Sequence, residues 1–300
     1  MDATPLRPVT DDEVAAFWRD GVVCLRAILP AAWLERMAGA VERALVDPVT
    51  TTDLSALGAG LEQAGASVLV DANVVAAGVP RGQFLAGTDH WLRDPDFAAF
   101  ARDSPLPGVV AALLRSDKVN LYEDSVLVKE PGTVERTAFH QDLAYFHVEG
   151  EQVCTTWTPL DAVTRETGSL QFVVGSHRDK AGVKPNYFVT TMAMADAEGD
   201  EVPDYFADAR GRTVVCWDLQ PGDITVHHAR TLHGAEGNPS ATQRRRAISV
   251  RYCGDDARYR IRRGAPQKPH HATVAEGQVL DHEACPVVWP RPAAGAPGRV

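Results

Sequence analysis

The stretch AFHQDL at residues 138–143 carries a histidine and an aspartate two positions apart, in sequence typical of a β-strand. On an extended chain, side chains at positions i and i+2 point to the same face, so His140 and Asp142 can bind one ligand together. A distant histidine would complete a set of two imidazoles and one carboxylate. Non-haem Fe(II) oxygenases use this set because it leaves positions open on the metal. The stretch therefore predicts oxidation chemistry on a β-rich scaffold.

The chain has a second His-x-Asp pair, within GSHRD at residues 175–179. Gly and Ser at its start are typical of a turn after a strand, where Ser and His side chains commonly cap backbone groups. The pair at His140 and Asp142 is therefore the preferred ligand pair. The residues alone leave three candidates open for the third ligand: His227, His228 and His233. Of these, His228 is also a candidate for a residue that does not bind the metal itself but fixes the orientation of a ligand.

Composition limits the partners of this protein. Its 300 residues, 45% of them hydrophobic, suffice for a substantial core, and we expect one domain over residues 1–290. The net charge of −10 disfavours nucleic acid and anionic membranes, since either would require a basic face. The local exception to this acidic balance is a cluster of four arginines, Arg258, Arg260, Arg262 and Arg263. The cluster is either a solvated surface or a patch for an anionic substrate tail.

The sequence favours a cytoplasmic location. Its five cysteines are scattered without a Cys-x-x-Cys pair, which is typical of reduced thiols in a cytosolic protein. Residues 1–10 contain acidic residues and prolines rather than a basic start followed by an apolar run. No stretch is expected to reach the apolar length of a membrane span.

Residues 1–118 favour helices that pack as a layer on the rest of the chain. TDDE at residues 10–13 is a capping pattern for a first helix, which Gly21 ends. A second helix follows Pro30, with apolar residues at helical spacing. The remaining assignments are helices at 94–102 and 107–114, and no clear element at 47–88.

From residue 119 the sequence changes to short β-rich runs separated by Gly, Pro and Asp. Such runs are typical of a sandwich or jelly roll, which we expect to form the core over residues 119–255. The predicted strands are 125–128, 153–158, 170–174, 213–217, 224–228 and 247–252. Residues 178–211 form a long acidic insertion that we expect to be partly helical and to act as a lid. The Pro/Ala/Gly-rich end, 291–300, is expected to be disordered.

In their order along the chain, these motifs resemble the phytanoyl-CoA dioxygenase family of Fe(II)/2-oxoglutarate-dependent oxygenases. No single piece is specific, but the ordered set is, and it covers most of the chain. The matching pieces are Val14-x-x-Phe17-x-x-x-Gly21-Val22-Val23, VKEPG at 128–132, HQD at 140–142, WTPLD at 157–161, GSL at 168–170, GSH at 175–177, PGD at 221–223, HGA at 233–235 with Asn238, and RRAIS at 245–249.

The resemblance implies a mainly β protein with a double-stranded β-helix core (jelly roll, cupin-like), on which the N-terminal helices pack. It implies that His140, Asp142 and His233 bind Fe(II), with 2-oxoglutarate as co-substrate and O2 as oxidant. One arginine near the start of the last core strand would then pair with the distal carboxylate of 2-oxoglutarate. An arginine suits this role because its planar fork donates two parallel hydrogen bonds to a carboxylate.

Two neighbouring arginines fit this role. The RRAIS motif selects Arg245, whereas the family's usual interval from His233 selects Arg244. We prefer Arg245, because the strand register of Ala247 and Ser249 places it on the same face as they are.

Five other residues are candidates around the ligands. Lys129 matches a family position near the co-substrate, although a lysine at a strand end is as often a solvated charge. Trp157 is expected to line the barrel, either as core packing or as a wall of the co-substrate pocket. The residues that flank the ligands, and are candidates for the substrate pocket, are Gln141, Tyr145 and Phe146.

These features predict a phytanoyl-CoA dioxygenase-like hydroxylase that converts 2-oxoglutarate to succinate. Because Asp142 keeps a carboxylate on the metal, no position is free for a halide, and we expect hydroxylation, desaturation or cyclisation rather than halogenation. The expected substrate is a small molecule: an organic acid, an amino-acid derivative, a natural-product intermediate or an acyl-CoA. Two rival classes stay open, a cupin-type iron enzyme that does not use 2-oxoglutarate and a non-catalytic jelly-roll binding module.

Overall fold

The computed structural model describes residues 1–179, 181–266, 268 and 273–291. Within them the helices are α1 (Asp11–Asp20), α2 (Ala31–Leu45), α3 (Leu54–Gln63), α4 (Ala72–Ala77), α5 (Pro95–Asp103) and α6 (Leu106–Leu114). The strands are β1 (Val22–Leu25), β2 (Thr51–Asp53), β3 (Phe84–Thr88), β4 (Val119–Lys129), β5 (Thr137–His140), β6 (Val148–Glu149), β7 (Val153–Pro159), β8 (Leu170–Val173), β9 (Val214–Cys216), β10 (Ile224–His228), β11 (His233–Ala235), β12 (Arg245–Cys253), β13 (Arg258–Tyr259) and β14 (Val287–Trp289).

Two antiparallel sheets form the core and face each other as a double-stranded β-helix. The larger sheet has the strand order β1-β10-β7-β12-β4-β3-β2, with β14 paired to β4, and the smaller has the order β5-β11-β8-β9. Leu127 and Trp157 of the larger sheet line one pocket together with His140 and Leu170 of the smaller. The predicted mainly β class with a jelly-roll core is confirmed, and each predicted strand is present to within a few residues.

Alternation along the strands gives the larger sheet two different faces. On β12, Arg245, Ser249 and Arg251 point towards the smaller sheet and line the pocket. The intervening Ile248 and Val250 belong to the main hydrophobic core. Successive side chains of a strand point to opposite faces, so one strand serves both surfaces. The inner face of the larger sheet therefore forms the pocket, and its outer face packs against helices.

The N-terminal helices cover this outer face, as predicted. Helix α1 begins after Thr10, which forms the expected capping box with Glu13. Gly21 ends it with a φ of 80°, in the left-handed region that favours glycine. Residues 47–88, which carried no clear signal, contain α3, α4 and the strands β2 and β3 at the edge of the larger sheet.

One stretch, Pro95–Leu114, is long and apolar enough to cross a membrane by length and composition alone, with a mean hydropathy of 1.2. The expectation that no stretch reaches this length is therefore wrong. The stretch comprises α5 and α6, and 67% of its most apolar window is buried inside the protein. Phe97, Phe100, Leu106 and Leu113 lie in the main core, so core packing explains the apolar character.

The insertion at 178–211 is not partly helical, contrary to the prediction. Beyond a 3₁₀ turn at Ser176–Arg178, its described residues form turns and isolated β-bridges. Contacts with β5 fix its path instead: the N–H of Ala138 donates to the Phe188 carbonyl oxygen at 2.6 Å, and the Asn186 amide donates to the Phe139 carbonyl oxygen at 3.0 Å. The segment is thereby tied to the strand that ends at His140.

Two expectations about domain organisation remain predictions. The disorder predicted for 291–300 falls, except for Arg291, outside the described residues. A single domain over 1–290 is supported by one core cluster that includes residues of α1, α2, α5 and α6 together with β4, β10 and β12.

Candidate metal centre

Three buried side chains converge between the two sheets. His140 ends β5, Asp142 begins a 3₁₀ turn at Asp142–Tyr145, and His233 begins β11, where it pairs directly with His140. One ligand atom from each lies within 4.8 Å of the other two. Asp142 Oδ1 is 3.7 Å from His140 Nε2 and 3.8 Å from His233 Nε2. The structure thus brings together the three ligands that the family resemblance implied.

Backbone carbonyls fix the orientation of both imidazoles. His140 Nδ1 lies 2.8 Å from the Ala138 carbonyl oxygen, and His233 Nδ1 lies 2.9 Å from that of Thr231. Because a carbonyl only accepts, each Nδ1 must carry the proton, which assigns the lone pair to Nε2. Burial, followed by the neighbouring His140 and His227, lowers the pKa of His233 well below its ordinary value. Both imidazoles thus direct their Nε2 atoms towards Asp142 Oδ1.

A row of side chains on the larger sheet supports Asp142. Strand register places His227 of β10 beside Thr155 of β7, and Thr155 beside Arg251 of β12. Thr155 Oγ1 donates to Asp142 Oδ2 at 2.5 Å, and His227 Nε2 donates to the same oxygen at 3.1 Å. With Oδ2 held in this way, Oδ1 is the oxygen that faces the two histidines. Outer partners of this kind fix ligand orientation in metal sites.

The same surroundings keep Asp142 ionised. Burial alone would raise the pKa of this carboxyl group, but His233, His140, His227 and Arg251 together hold it well below its ordinary value. A buried carboxylate anion beside two imidazoles is a ready ligand for a divalent cation.

Two other histidines of the described residues, His228 and His177, do not line the pocket. His228 faces the helical layer, where its ring packs against Trp18 and His177 and its Nδ1 accepts from the Arg230 N–H at 3.1 Å. The prediction that His228 supports the metal site is therefore wrong, because alternation on β10 gives that place to His227. His177 lies in the predicted turn, with Nε2 3.2 Å from the Trp18 carbonyl oxygen.

Arg245 lies on the inner face and Arg244 on the surface. The guanidinium of Arg245 donates to the Leu127 carbonyl oxygen at 3.1 Å and lies 5.9 Å from the ring centre of Trp157. Its Nε has no hydrogen-bond partner, and among the described residues no carboxylate forms an ion pair with it. Arg244 instead bonds Glu130 at 2.8 Å at the protein surface. Arg245 is thus the arginine that shares the pocket of the candidate ligands.

An unpaired guanidinium in this position requires an explanation. The Arg245 residue is 2% exposed, and burial lowers its pKa to about 10, so it is still charged at neutral pH. Burying a charge without a partner costs several kcal/mol, by an order-of-magnitude estimate. An anionic ligand in the pocket would supply the missing partner.

Lys129 lies opposite Arg245 in the register of β4 and β12. Its ammonium group is buried and donates to the carbonyl oxygens of Glu135 at 2.9 Å and Glu236 at 2.5 Å. It also lies 4.7 Å from the ring centre of Phe84. The structure therefore does not place Lys129 in solvent, and its donors are directed at the backbone; a contact with the co-substrate stays a prediction.

The candidate substrate residues divide into three environments. The Tyr145 ring meets His140 edge-on at 5.7 Å, and its hydroxyl donates to the Asn186 carbonyl oxygen at 2.8 Å. Gln141 lines a second cavity on the other side of the 3₁₀ turn, and its amide nitrogen has no hydrogen-bond partner among the described residues. Phe146 belongs to neither cavity: it packs against Tyr122 in a separate apolar cluster, which corrects its placement in the substrate pocket.

The second cavity has a volume of about 330 Å³ and is lined by several arginines. Arg230 bonds Glu151 at 2.8 Å, and Arg260 bonds Glu149 at 2.9 Å. Arg262 donates to the backbone at Phe146 and Val148. Three members of the Arg258–Arg263 cluster thus line a cavity; the fourth, Arg258, donates to backbone carbonyls of residues 255 and 257.

Phe188 and Arg251 are among the pocket residues that were not anticipated from the sequence. Phe188, with a φ of 64°, covers His140 at a ring distance of 4.7 Å and closes the pocket to a cavity of about 20 Å³. Arg251 lies on the inner face of β12, six positions after Arg245. The even spacing between these arginines was the available signal for Arg251, whereas no sequence pattern marked Phe188.

Solved structures with the same fold support this architecture. One is the carbocyclase SnoK from nogalamycin biosynthesis, which is described as non-heme and alpha ketoglutarate dependent. The two sequences are 21% identical, and the superposition covers 96% of this chain and 99% of the SnoK chain with a TM-score of 0.67. The epimerase SnoN, solved with Fe3+, alpha ketoglutarate and nogalamycin RO, is 23% identical over 93% of this chain and 98% of its own, with a TM-score of 0.66.

Sequence comparison defines the family. A probable phytanoyl-CoA dioxygenase of Caenorhabditis elegans is 28% identical over 169 residues, which is 54% of this chain. The match spans about half of that relative, 52% of its length. The family model described as Phytanoyl-CoA dioxygenase (PhyH) matches residues 17–247, most of the chain. This protein therefore belongs to the phytanoyl-CoA dioxygenase (PhyH) family.

Proposed function

We propose that this protein is an Fe(II)- and 2-oxoglutarate-dependent dioxygenase that hydroxylates, desaturates or cyclises a small organic molecule. One observation carries the proposal: a buried His-Asp-His set and an unpaired buried arginine line the same pocket. The first fits a metal that needs open positions, and the second fits an anionic co-substrate. Family membership and the two oxygenase folds described above support the same class.

The donor set fits ferrous iron. His140 Nε2, His233 Nε2 and Asp142 Oδ1 are the three atoms that would hold it. Two nitrogens and one carboxylate oxygen are the ligands of the non-haem Fe(II) oxygenases, and they leave positions for further ligands. The backbone carbonyls behind the imidazoles, together with Thr155 and His227 behind the carboxylate, hold these atoms in place.

Arg245 is the residue that would hold the distal carboxylate of 2-oxoglutarate. Its Nε and its remaining N–H groups are available in the pocket, since one Nη donates to Leu127. Trp157 lies beside the guanidinium and restricts its position. A planar fork held in one orientation binds a carboxylate with little loss of side-chain entropy.

With iron, 2-oxoglutarate and O2 bound, the cofactors supply a two-electron oxidation of the substrate, coupled to decarboxylation of 2-oxoglutarate to succinate. The protein's residues bind and orient these ligands, and they exclude water from the pocket. Leu127, Trp157 and Phe188 form apolar walls around the ligands and keep bulk water from the reacting groups. Asp142 retains a carboxylate ligand, which disfavours halogenation; the names of SnoK and SnoN show that this fold hosts both ring closure and epimerisation.

The segment 178–211 is proposed to act as a lid. Phe188 leaves a cavity of about 20 Å³ beside the ligands, which is too small for 2-oxoglutarate and a substrate together. Entry thus requires this segment to move away from His140. Limited proteolysis is expected to cut residues 178–211 more slowly once iron, 2-oxoglutarate and substrate are bound, and unchanged cleavage would count against a lid.

An anaerobic titration tests the central proposal. The Fe(II)-loaded protein is expected to develop a weak visible absorption band when 2-oxoglutarate is added, because its ketone and carboxylate chelate the metal. Exposure to air and a substrate panel should then release succinate. A cupin-type enzyme without 2-oxoglutarate would show turnover but no band, and a binding module would show neither. A cytoplasmic location is part of the proposal and would be checked by cell fractionation.

A further inference from the structure

We propose that Arg251 binds a carboxylate, or an equivalent oxyanion, of the primary substrate. The iron pocket would then contain one arginine for each of its two organic ligands. This inference rests on the proposed function, since it assigns Arg245 to 2-oxoglutarate.

The placement of the two arginines separates their roles. Both lie on the inner face of β12, six residues apart, which corresponds to about 20 Å along a strand. Arg245 lies beside Trp157, whereas Arg251 lies within 4.0 Å of Asp142. Between them, only Ala247 and Ser249 project from the same face, and both are small. The inner face of β12 therefore has an arginine near each end and only small side chains between them.

Arg251 has two carboxylates within ion-pair distance and the Phe146 ring 6.0 Å away, but only one side-chain hydrogen bond within the described part of the chain. Its side chain is 8% exposed, and Nη1 donates to Ser125 Oγ at 2.5 Å. Its Nε has no hydrogen-bond partner among the residues that the structure describes. The nearest carboxylates are Glu123 at 3.6 Å and Asp142 at 4.0 Å, both beyond hydrogen-bond distance. The hydrogen-bonding capacity of this buried guanidinium is thus only partly used, and the residue lines the pocket.

Other groups already satisfy these two carboxylates. Glu123 forms a close ion pair with Lys268, which also bonds Asp89 at 2.9 Å. Asp142 receives its two hydrogen bonds from Thr155 and a histidine and presents its other oxygen to the ligand set. Arg251 adds its positive charge to the surroundings of Asp142, but neither carboxylate depends on it as a hydrogen-bond donor. A ligand with two oxygens would complete Arg251 instead, because a guanidinium binds a carboxylate through parallel hydrogen bonds.

The apolar residues that share the pocket with Arg251 indicate the rest of the substrate. Leu127, Leu170 and Phe188 line the same pocket and are apolar. An acid with a small apolar body matches this combination of one cation and hydrocarbon walls. Phenylacetate and hexanoate are suitable probes, and their amides are uncharged controls of almost the same shape.

The rival location for an anion is the outer cavity with Arg262. That guanidinium forms no ion pair within the described part of the chain, and it lies near Arg230 and Arg260. The two cavities share no lining residue: Gln141, Leu143 and Ala144 line the outer one, whereas His140 and Asp142 line the inner one. Arg262→Met is therefore the matched control for Arg251→Met.

The experiment is a calorimetric titration of the anaerobic protein loaded with Fe(II) and saturating 2-oxoglutarate. Each acid and its amide are added separately, and the visible band reports whether 2-oxoglutarate stays bound. The wild type is expected to bind the acids at least about 30-fold more tightly than the amides. Arg251→Met should weaken acid binding about 100-fold, the size expected for loss of one partner of a buried charge pair, and leave amide binding within threefold. Arg262→Met should keep the preference.

A second variant separates charge from geometry. Arg251→Lys keeps the positive charge but loses the fork, and it should weaken acid binding at least about tenfold while amide binding is unchanged. Damage to the fold would weaken both probes and the band alike. Equal binding of acids and amides by the wild type, a preserved preference in Arg251→Met, or loss of the preference in Arg262→Met alone would overturn the inference. Absence of the band in the wild type would instead overturn the proposed function.

Discussion

The two faces of the larger sheet use the same residue types for opposite purposes. On β10, His227 faces the pocket and bonds Asp142, whereas His228, the next residue, packs against aromatic rings of the helical layer. At the start of β12, Arg245 is buried in the pocket, and Arg244 forms ion pairs at the surface. A shift of one position along a strand thus exchanges a site residue for a structural one.

The pKa values of two buried carboxyl groups, one on each face, differ in direction. Asp142, on the inner side, has hydrogen-bond donors and cationic neighbours, and its pKa is held well below the ordinary value although burial opposes this. Asp124 lies beside Val250 on the outer face, and neither of its oxygens has a hydrogen-bond partner among the described residues. Burial raises the pKa of Asp124 to about 7. Partners, rather than burial, therefore decide which carboxylate can serve as an anionic ligand.

The largest expected effect comes from removing the inner carboxylate. Asp142→Asn keeps the shape but removes the anionic ligand, so succinate formation should fall to background while circular dichroism shows an intact fold. Asp142→Ala and His140→Ala should behave in the same way. Asp124→Asn is the matched control on the outer face and should retain turnover. Succinate release by any ligand variant would refute the ligand assignment.

The next largest effect is expected when each of the two neighbouring arginines is replaced by alanine in turn. Arg245→Ala should raise the 2-oxoglutarate concentration needed for half-maximal succinate formation about 100-fold, because a buried charge partner is lost. Arg244→Ala should change it less than about twofold, since its ion pairs with Glu130 and Glu42 are partly exposed. The reverse pattern in steady-state kinetics would show that the strand register has been misassigned.

A smaller difference is expected between variants of His227 and His228, the neighbouring histidines of β10. His227→Ala removes a hydrogen bond to Asp142 and should weaken iron binding about 10-fold, the lower end for partners that orient a ligand. His228→Ala should leave iron affinity unchanged within about twofold, because its ring contacts the helical layer. Titration of the protein with Fe(II) measures both. Equal losses of affinity would mean that the two faces are not independent.

The smallest effect on turnover, but a distinct effect on stability, is expected for Asp124→Asn. Because the pKa of Asp124 is about 7 in the fold and about 4 in the unfolded chain, the unfolded carboxyl ionises first. The wild type therefore loses stability as pH rises from about 4 to 7, and the variant lacks this loss. Urea unfolding at pH 5 and pH 8 should show the variant gaining about 2 to 3 kcal/mol relative to the wild type. A pH-independent difference would contradict the raised pKa.

Local patterns predicted many of the elements, but neither those at residues 47–88 nor the path of the insertion. The capping box at Thr10, the left-handed stop at Gly21 and the strands of the core follow from signals within a few residues. The insertion at 178–211 has a composition that favoured helix, but bonds from Phe188 and Asn186 to β5 hold it in turns. Tertiary contacts override a weak local preference, because helix propensities differ by less than about 1 kcal/mol per residue.

The amino-acid sequence was sufficient to predict the fold class and a His-Asp-His ligand set. A histidine and an aspartate two positions apart on extended chain must share a face, and the ordered motifs selected His233. Only the tertiary structure decided that His227 rather than His228 supports Asp142, that Phe146 lies outside the pocket, and that Arg251 lies within it. The reason is physical: spacing along one strand fixes which residues share a face, but the packing of the two sheets fixes which face encloses the ligands.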